Sequence, residues 1–176
     1  MAEETVNIEE ESNLSLSADE LMYEVPVSRS RGQVVLHPTR EQYIETIDKL
    51  SDDGFNVCID ITAVDYLDEP ERDTPSSIAL ERFEVVVNLL SHRKKDRIRV
   101  RVQIPEIDPV IPSAFDFYPG TEALEREVFD LFGIEFDGHP DMTRILMPEN
   151  WNGHPLRKDY DVGEIPVQFK DAPGAG

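Results

Sequence analysis

Between Glu125 and Tyr160 the chain reads EREVFDLFGIEFDGHPDMTRILMPENWNGHPLRKDY, and no other stretch so narrows what it can fold into. Charged residues, aromatics and glycine turns crowd together there without a sustained helical or strand period. Two Gly-His-Pro triplets punctuate it, Gly138-His139-Pro140 and Gly153-His154-Pro155, with the only tryptophan, Trp151, between them. It closes on the dense string Arg157-Lys158-Asp159-Tyr160. From Pro140 onward the 37 residues hold five prolines and four glycines, yet keep Ile145, Leu146, Met147, Trp151, Leu156, Tyr160, Ile165 and Phe169. Those side chains share no period with which to build a core of their own. Fixing a backbone costs about 1–2 kcal/mol per residue, so such a tail is ordered only by burying its apolar groups on something else. That host is either the rest of the chain or another protein, and the length of the segment favours another protein. An extended arm with aromatic and arginine anchors at intervals is how one protein wraps a second, with ordering coupled to binding.

Composition bounds the rest. With 176 residues the chain is long enough for one domain plus extensions. An apolar share of 39% beside 31% charged residues describes an ordinary globule with polar tails. The formal charge of −20 works against nucleic acid, whose binding needs clustered Lys and Arg to release counterions, and against adsorption to anionic lipid. No apolar run approaches the roughly 20 residues of a membrane-spanning helix, and the N-terminus has neither a basic nor an apolar leader, so the expectation is a chain kept in the cytoplasm. Met1 to Glu24 contains eight acidic residues and no Lys or Arg, the composition of a disordered, solvated arm. The single cysteine, Cys58, falls in a strand-like alternation, as a small buried side chain does. Iron–sulfur clusters are held by about four thiolates, so one cysteine carries none unaided.

A first amphipathic helix is expected from Thr39, as N-cap with Gln42 in a capping box, through Tyr43, Ile44, Ile47 and Leu50 to a stop at Gly54. Phe55, Val57, Ile59 and Ile61 then alternate with Asn56, Cys58, Asp60 and Thr62, the period of a strand with one buried face. Leu67 to Ser77, rich in Asp, Glu and Pro, reads as a loop. Phe83, Val85, Val87 and Leu89 begin a second strand; Ile98, Val100 and Val102 mark a third, with Arg97, Arg99, Arg101 and Gln103 on its opposite face. The short polar link His92–Asp96 joins these two as an antiparallel hairpin. Its Arg93, Lys94, Lys95, Arg97, Arg99 and Arg101 stand out in an acidic chain, either as charges that deter edge-to-edge aggregation or as a docking face for an acidic surface. Ile104–Gly120, with Pro105, Pro109, Pro112 and Pro119, reads as a stiff connector without regular ladders. A second helix follows Thr121 as N-cap. Leu124, Val128, Phe129, Leu131 and Phe132 form its apolar side, Arg126 and Asp130 are spaced to pair, and Gly133 ends it.

Within the crowded stretch, Glu125, Glu127 and Asp130 with Arg126 gather carboxylates as general acid–base sites do, but nothing nearby suggests a substrate pocket. His139 and His154 stand 15 residues apart, each before a proline, without the HxxxH or cysteine partners of a metal site. They read instead as corners that turn the chain and offer an imidazole to a buried carboxylate or carbonyl. Arg144, Arg157 and Lys158 read as positional charges. The sequence contains no Walker A loop, nucleotide-binding GxGxxG, nucleophile elbow or zinc spacing. The expectation is a chain with no catalytic, cofactor or metal site of its own.

The Glu125–Tyr160 string closely resembles the signature of the C-type subunit of respiratory complex I, the proton-pumping NADH:quinone oxidoreductase. The strong likeness covers 36 of 176 residues and a weaker one reaches back to about Phe83. It is carried by Glu125, Arg126, Glu127, Asp130, Gly133, Gly138, His139, Pro140, Arg144 and Trp151, then by Gly153, His154, Pro155, Leu156, Arg157, Lys158, Asp159 and Tyr160. The family usually has Trp where Ala123 stands and a basic residue where Thr143 precedes Arg144. The resemblance implies an α+β fold: one domain over residues 25–139 with a mixed, partly antiparallel sheet covered by helices. The acidic arm, 1–24, precedes it, and an extended irregular C-terminal arm, 140–176, wraps a partner protein. It further implies a structural component without an active site, docked on the hydrogenase-like, D-type subunit that lines the quinone cavity, near the B- and I-type iron–sulfur subunits. FMN, iron–sulfur clusters and quinone would sit on other subunits, and the chain would lie in the peripheral arm on the cytoplasmic side of the cell membrane. The equivalent component of a related membrane-bound hydrogenase, or of a ferredoxin- or deazaflavin-linked dehydrogenase, is one rival reading, and a free-standing interaction module is another.

Overall fold

A run of β-branched residues at alternate positions needs a partner strand for its backbone and a cover for its apolar side, and both needs shape this molecule. The computed structural model describes residues 20–161. In chain order these form β1 (Leu21–Met22), β2 (Val25–Ser30), β3 (Gln33–Leu36), α1 (Tyr43–Asp52), β4 (Val57–Asp65), β5 (Phe83–Ser91) and β6 (Asp96–Ile104). Then come β7 (Val110–Pro112), a 3₁₀ turn (Pro119–Thr121), α2 (Glu122–Phe132) and β8 (Glu135–Asp137). Six strands make one sheet in the order β1-β2-β3-β6-β5-β4; β3 and β6 run parallel, the other neighbours antiparallel. β7 and β8 form a separate parallel ribbon. The result is a single α+β domain with a mixed sheet.

The expected hairpin is β5–β6, in a register that sets Val85 opposite Val102, Val87 opposite Val100 and Leu89 opposite Ile98. These six are buried, and with Tyr43, Ile47 and Leu50 of α1 and Val128 and Phe132 of α2 they form one core. Truncating a side chain such as Leu89 to alanine there costs about 2–5 kcal/mol. On the other face of the same strands Arg99 donates to Asn88 (3.1 Å) and Arg101 to Glu84 (2.7 Å). The long β4–β5 loop lies over part of that face: Arg101 also donates to the Asp73 carbonyl (3.2 Å), and Arg72 stacks 3.9 Å from the Tyr66 ring.

Four local expectations are corrected. The capping-box bonds form, Thr39 N–H to Gln42 Oε1 (3.1 Å) and Gln42 N–H to Thr39 Oγ1 (3.3 Å), but they close a turn ahead of α1, while Arg40 inside it is drawn to Asp108 (2.7 Å). Thr121 stands at the α2 N-cap without a side-chain cap, because the 3₁₀ turn before it already holds it in helical backbone (φ −80°, ψ −11°). In β4 a bulge between Cys58 and Asp60 shifts the register, so Val57 and Ile59 are 36% and 44% exposed while Cys58, opposite Leu89, packs on the core. An extra residue in a period-2 strand exchanges its faces, which the alternation alone cannot show. The proline-rich connector does make a short ladder: β7, Pro112 included, pairs with β8 on a two-stranded ribbon whose open edge needs no proline N–H.

β1, β2 and β3 are strands beyond those expected from the sequence. Of the acidic segment read through Glu24, residues 1–19 lie outside those described, Leu21 and Met22 are in β1, and Glu24 pairs with Lys49. Of the C-terminal segment, residues 140–161 are described and contain neither helix nor strand; Ile165 and Phe169 lie outside the described residues.

Candidate functional site

A helix leaves its last four carbonyls without intrahelical donors, and here the crowded part of the sequence supplies them. α2 ends at Gly133 in the left-handed region (φ +70°), whose N–H returns to the Phe129 carbonyl. The Asp130 carbonyl accepts from Arg144 Nη1 (3.1 Å) and His154 Nδ1 (3.0 Å), and the Leu131 carbonyl from the Leu156 N–H (3.0 Å). Arg157 completes the collar, donating Nε to the Phe132 carbonyl (2.6 Å) and Nη2 to that of Gly133 (3.3 Å), with its guanidinium 5.1 Å from the Phe83 ring. Two arginines at the negative end of the helix dipole add a favourable electrostatic contribution. A Cβ on Gly133 would lie 2.6 Å from both Arg157 and His154, so space as well as φ demands glycine.

A carboxylate in the last turn of a helix opposes that dipole, yet Asp130 is fully buried there. Its Oδ2 accepts three successive backbone N–H groups, from Ile145 (3.1 Å), Leu146 (2.8 Å) and Met147 (2.8 Å), while Oδ1 accepts from Arg144 (2.5 Å). Burial pushes its pKa upward, but the donors from Met147, Leu146, Arg144 and Ile145 prevail and hold it below the ordinary aspartate range. Arg144 also reaches the Gly153 carbonyl (3.0 Å), tying the second Gly-His-Pro corner to Asp130. His154 donates from Nδ1, and burial lowers its pKa, so the imidazole is neutral.

Nearer the start of α2, a second buried carboxylate behaves oppositely. Glu125 accepts from Ser113 Oγ (2.5 Å) and the Ala114 N–H (2.8 Å), and the buried His139 Nε2 lies 4.0 Å away. Burial raises its pKa despite those donors. His139 accepts the Asp141 N–H at Nδ1 (3.0 Å), which assigns the proton to Nε2, 3.1 Å from the Glu122 carbonyl. The expected Arg126–Asp130 pair does not form. Arg126 turns instead to Glu122 (3.3 Å), to Thr143 Oγ1 (2.9 Å) and to the Thr143 carbonyl (3.0 Å), because Asp130 faces inward and is already saturated.

The group that anchors the far end of the signature is not among the residues expected from the sequence. Asp65, buried at the end of β4, receives Arg82 through Nε (3.0 Å) and Nη2 (2.8 Å) and accepts the N–H groups of Leu67 (3.0 Å) and Lys158 (2.9 Å). Arg82 in turn pairs with Asp159 (2.7 Å) and Glu106 (2.5 Å). A signal was present: Asp65 follows Ile61 and Ala63 in the core phase of β4, where a charge needs a buried partner.

Tyr160 packs on Gly153 (φ +81°), where a Cβ would come within 2.8 Å of its ring. Trp151 is half-buried, and its indole N–H finds no acceptor among the described residues. Glu127, Gly138, Pro140 and Lys158 face solvent, and Pro155 is half-buried. Around the collar Ile145, Leu146 and Leu156 are 40%, 59% and 49% exposed. Among the described residues no group of three His, Cys, Asp or Glu side chains is placed to hold a metal, and burial pushes the Cys58 thiol up to about 12, keeping it protonated.

Sheet, helices and collar together define an α+β protein whose densest sequence signature closes one end of a helix. The chain belongs to the family described as Respiratory-chain NADH dehydrogenase, 30 Kd subunit, whose profile matches residues 36–165. It is 43% identical over 143 residues to the C-type subunit of NADH-quinone oxidoreductase from Nocardioides sp., covering 80% of this chain and 54% of that protein. To the protein of the same name from Saccharopolyspora erythraea it is 40% identical over 149 residues, covering 83% and 56%. It thus spans only a little over half the length of these curated relatives. The trypsin-resistant fragment of Nqo5 superposes with a TM-score of 0.60 at 37% identity, covering 66% of this chain and 89% of that one. A chain of the membrane-bound sulfane sulfur reductase, an archaeal respiratory membrane complex, superposes with a TM-score of 0.64 at 24% identity, covering 84% and 88%, a likeness of fold.

Proposed function

We propose that this chain is a structural, non-catalytic component of the peripheral arm of a proton-translocating NADH:quinone oxidoreductase, docked on the hydrogenase-like, D-type subunit near the quinone site, with the B- and I-type iron–sulfur subunits as neighbours. The observation that carries the docking is the surface of the collar. Its polar groups turn inward onto α2 and Asp130, which leaves Ile145, Leu146 and Leu156 outward at one helix end. Apolar side chains grouped on a rigid base are what a permanent interface uses. The identity to C-type subunits of NADH-quinone oxidoreductases supports the electron donor and acceptor. FMN, iron–sulfur clusters and quinone belong to other subunits, and this chain holds its neighbours in register. No helix among the described residues is long and apolar enough to cross a membrane, in keeping with a peripheral position; the side proposed is the cytoplasmic one.

Leu146→Asp combined with Leu156→Asp tests this. The yield of assembled complex purified from membranes falls several-fold, while NADH:quinone turnover per assembled complex stays at the wild-type level. Normal yield with lost turnover overturns the structural role. The fold shared with the sulfane sulfur reductase complex favours a second reading, the matching component of a related membrane complex with another electron donor. Identification of an NADH-oxidising flavoprotein among the co-purified subunits decides between them.

A further inference from the structure

At the end of the sheet away from the collar, the β2–β3 turn and the β5–β6 turn border an open groove of about 610 Å³. Arg31, His92, Lys95 and Arg97 line it, with a single acidic side chain, Asp96, which accepts the Arg97 N–H (2.8 Å). Acidic residues outnumber Lys and Arg by 37 to 17 in this chain, so a cation has carboxylates to spare. Arg40, Lys49, Arg82, Lys94, Arg101, Arg126 and Arg144 each form an ion pair. Arg31, Lys95 and Arg97 form none among the described residues. Two of these three also take left-handed backbone, Arg31 at φ 51° and Lys95 at φ 54°. That conformation is unfavourable for a residue with a Cβ and is ordinarily left to Gly or Asn. Long cations thus occupy the corners of both turns, at a conformational cost, on either side of one groove.

We infer that this groove is the docking site of the chain's own acidic N-terminal segment, Glu3–Glu11. The complementary charge lies in the same polypeptide: residues 1–19 contain Glu3, Glu4, Glu9, Glu10, Glu11 and Asp19 and no Lys or Arg. The direction also agrees. β1 pairs antiparallel with β2, Met22 opposite Val25 and Leu21 opposite Pro26, and the Glu20 carbonyl accepts the Val27 N–H (2.9 Å). From Met22 back to Glu20 the chain therefore heads along β2 in the direction of Ser30 and Arg31, and Glu20 pairs with Arg29 (3.6 Å) on that course. The nine steps from Glu20 to Glu11 span up to about 30 Å when extended, so reach does not prevent contact. A tethered segment also acts at an effective concentration of about a millimolar, which weak exposed ion pairs require.

Zero-length carbodiimide coupling of the purified full-length chain, followed by peptide mapping, tests the docking, because it joins an amine only to a carboxylate already in contact. The expected product links Lys95 to Glu9, Glu10 or Glu11 within one molecule. Its yield falls several-fold in the Arg31→Glu/Arg97→Glu variant, and likewise when salt is raised from about 0.1 M to about 1 M, which shortens the Debye length from about 10 Å to about 3 Å. The Lys94–Asp53 pair, at 2.5 Å in the same hairpin, supplies an internal control for folding and reagent. Absence of the Lys95 link while the control link forms overturns the proposal, as does an unchanged yield in the charge-reversed variant. A link between isotopically distinct copies overturns it in favour of a second copy of the chain as occupant.

Discussion

The two ends of the molecule both carry arginine and use it in opposite ways. At the α2 collar, Arg144 and Arg157 spend their donors on helix carbonyls and on a buried aspartate. At the turn end of the sheet, Arg31 and Arg97 stand in water beside a groove without a carboxylate partner among the described residues. A guanidinium saturated inside one chain acts as mortar and leaves the apolar groups around it to meet a neighbour. One left unsatisfied in an acidic chain is a demand for something not yet bound. The contrast separates the surface proposed to dock by its apolar rim from the surface proposed to dock by charge.

The strongest way to break this contrast is Asp130→Asn. Removing one partner of a buried, hydrogen-bonded pair leaves Arg144 uncompensated, so urea unfolding should show a loss of about 3–5 kcal/mol near neutral pH. The pH dependence carries its own sign. Because the folded-state pKa of Asp130 is held below the ordinary value of 3.8, its contribution is present above that value and disappears as pH falls through the lowered one. Wild type and variant therefore converge in stability at acid pH. A cost under about 1 kcal/mol would mean that the collar is held by its neighbours and not by this carboxylate.

Gly133→Ala sharpens the same end. It forces a Cβ into left-handed backbone and against Arg157 and His154, and it should cost about 1–3 kcal/mol in urea unfolding. At the opposite end, Arg31→Glu/Arg97→Glu should cost less than Gly133→Ala, about 1 kcal/mol at most, since neither side chain has an ion-pair partner among the described residues and exposed pairs with a tethered segment are weak. A shift comparable to that of Gly133→Ala would show that the turn cations are structural after all and would dissolve the distinction.

The β5–β6 hairpin, both helices and the Gly133 stop were legible because each depends on residues within a few positions of one another. Val85, Val87 and Leu89 face Ile98, Val100 and Val102 across a short turn, and α2 announces its end by a glycine. β2 and β3 escaped because their turn is Arg31-Gly32, not the Asn-Gly usual for two left-handed residues, and because β3 finds its partner β6 in parallel across some sixty residues. The β4 bulge hid in a perfect-looking alternation, and one extra residue at Ile59 exchanged its faces.

The candidate site divides along the same line. That Glu125–Tyr160 was the distinctive segment, rich in corners and anchors, was plain from residue types alone. Its partners were not. Arg126 and Asp130 have helical spacing that invites a pair, yet Arg126 holds Thr143, Asp130 holds Arg144 and three backbone N–H groups, and Lys158 meets Asp65 across 93 positions. Spacing along a chain sets which groups are able to meet. Burial then selects among them, because a carboxylate removed from water must collect its full set of donors from wherever the packed chain brings them.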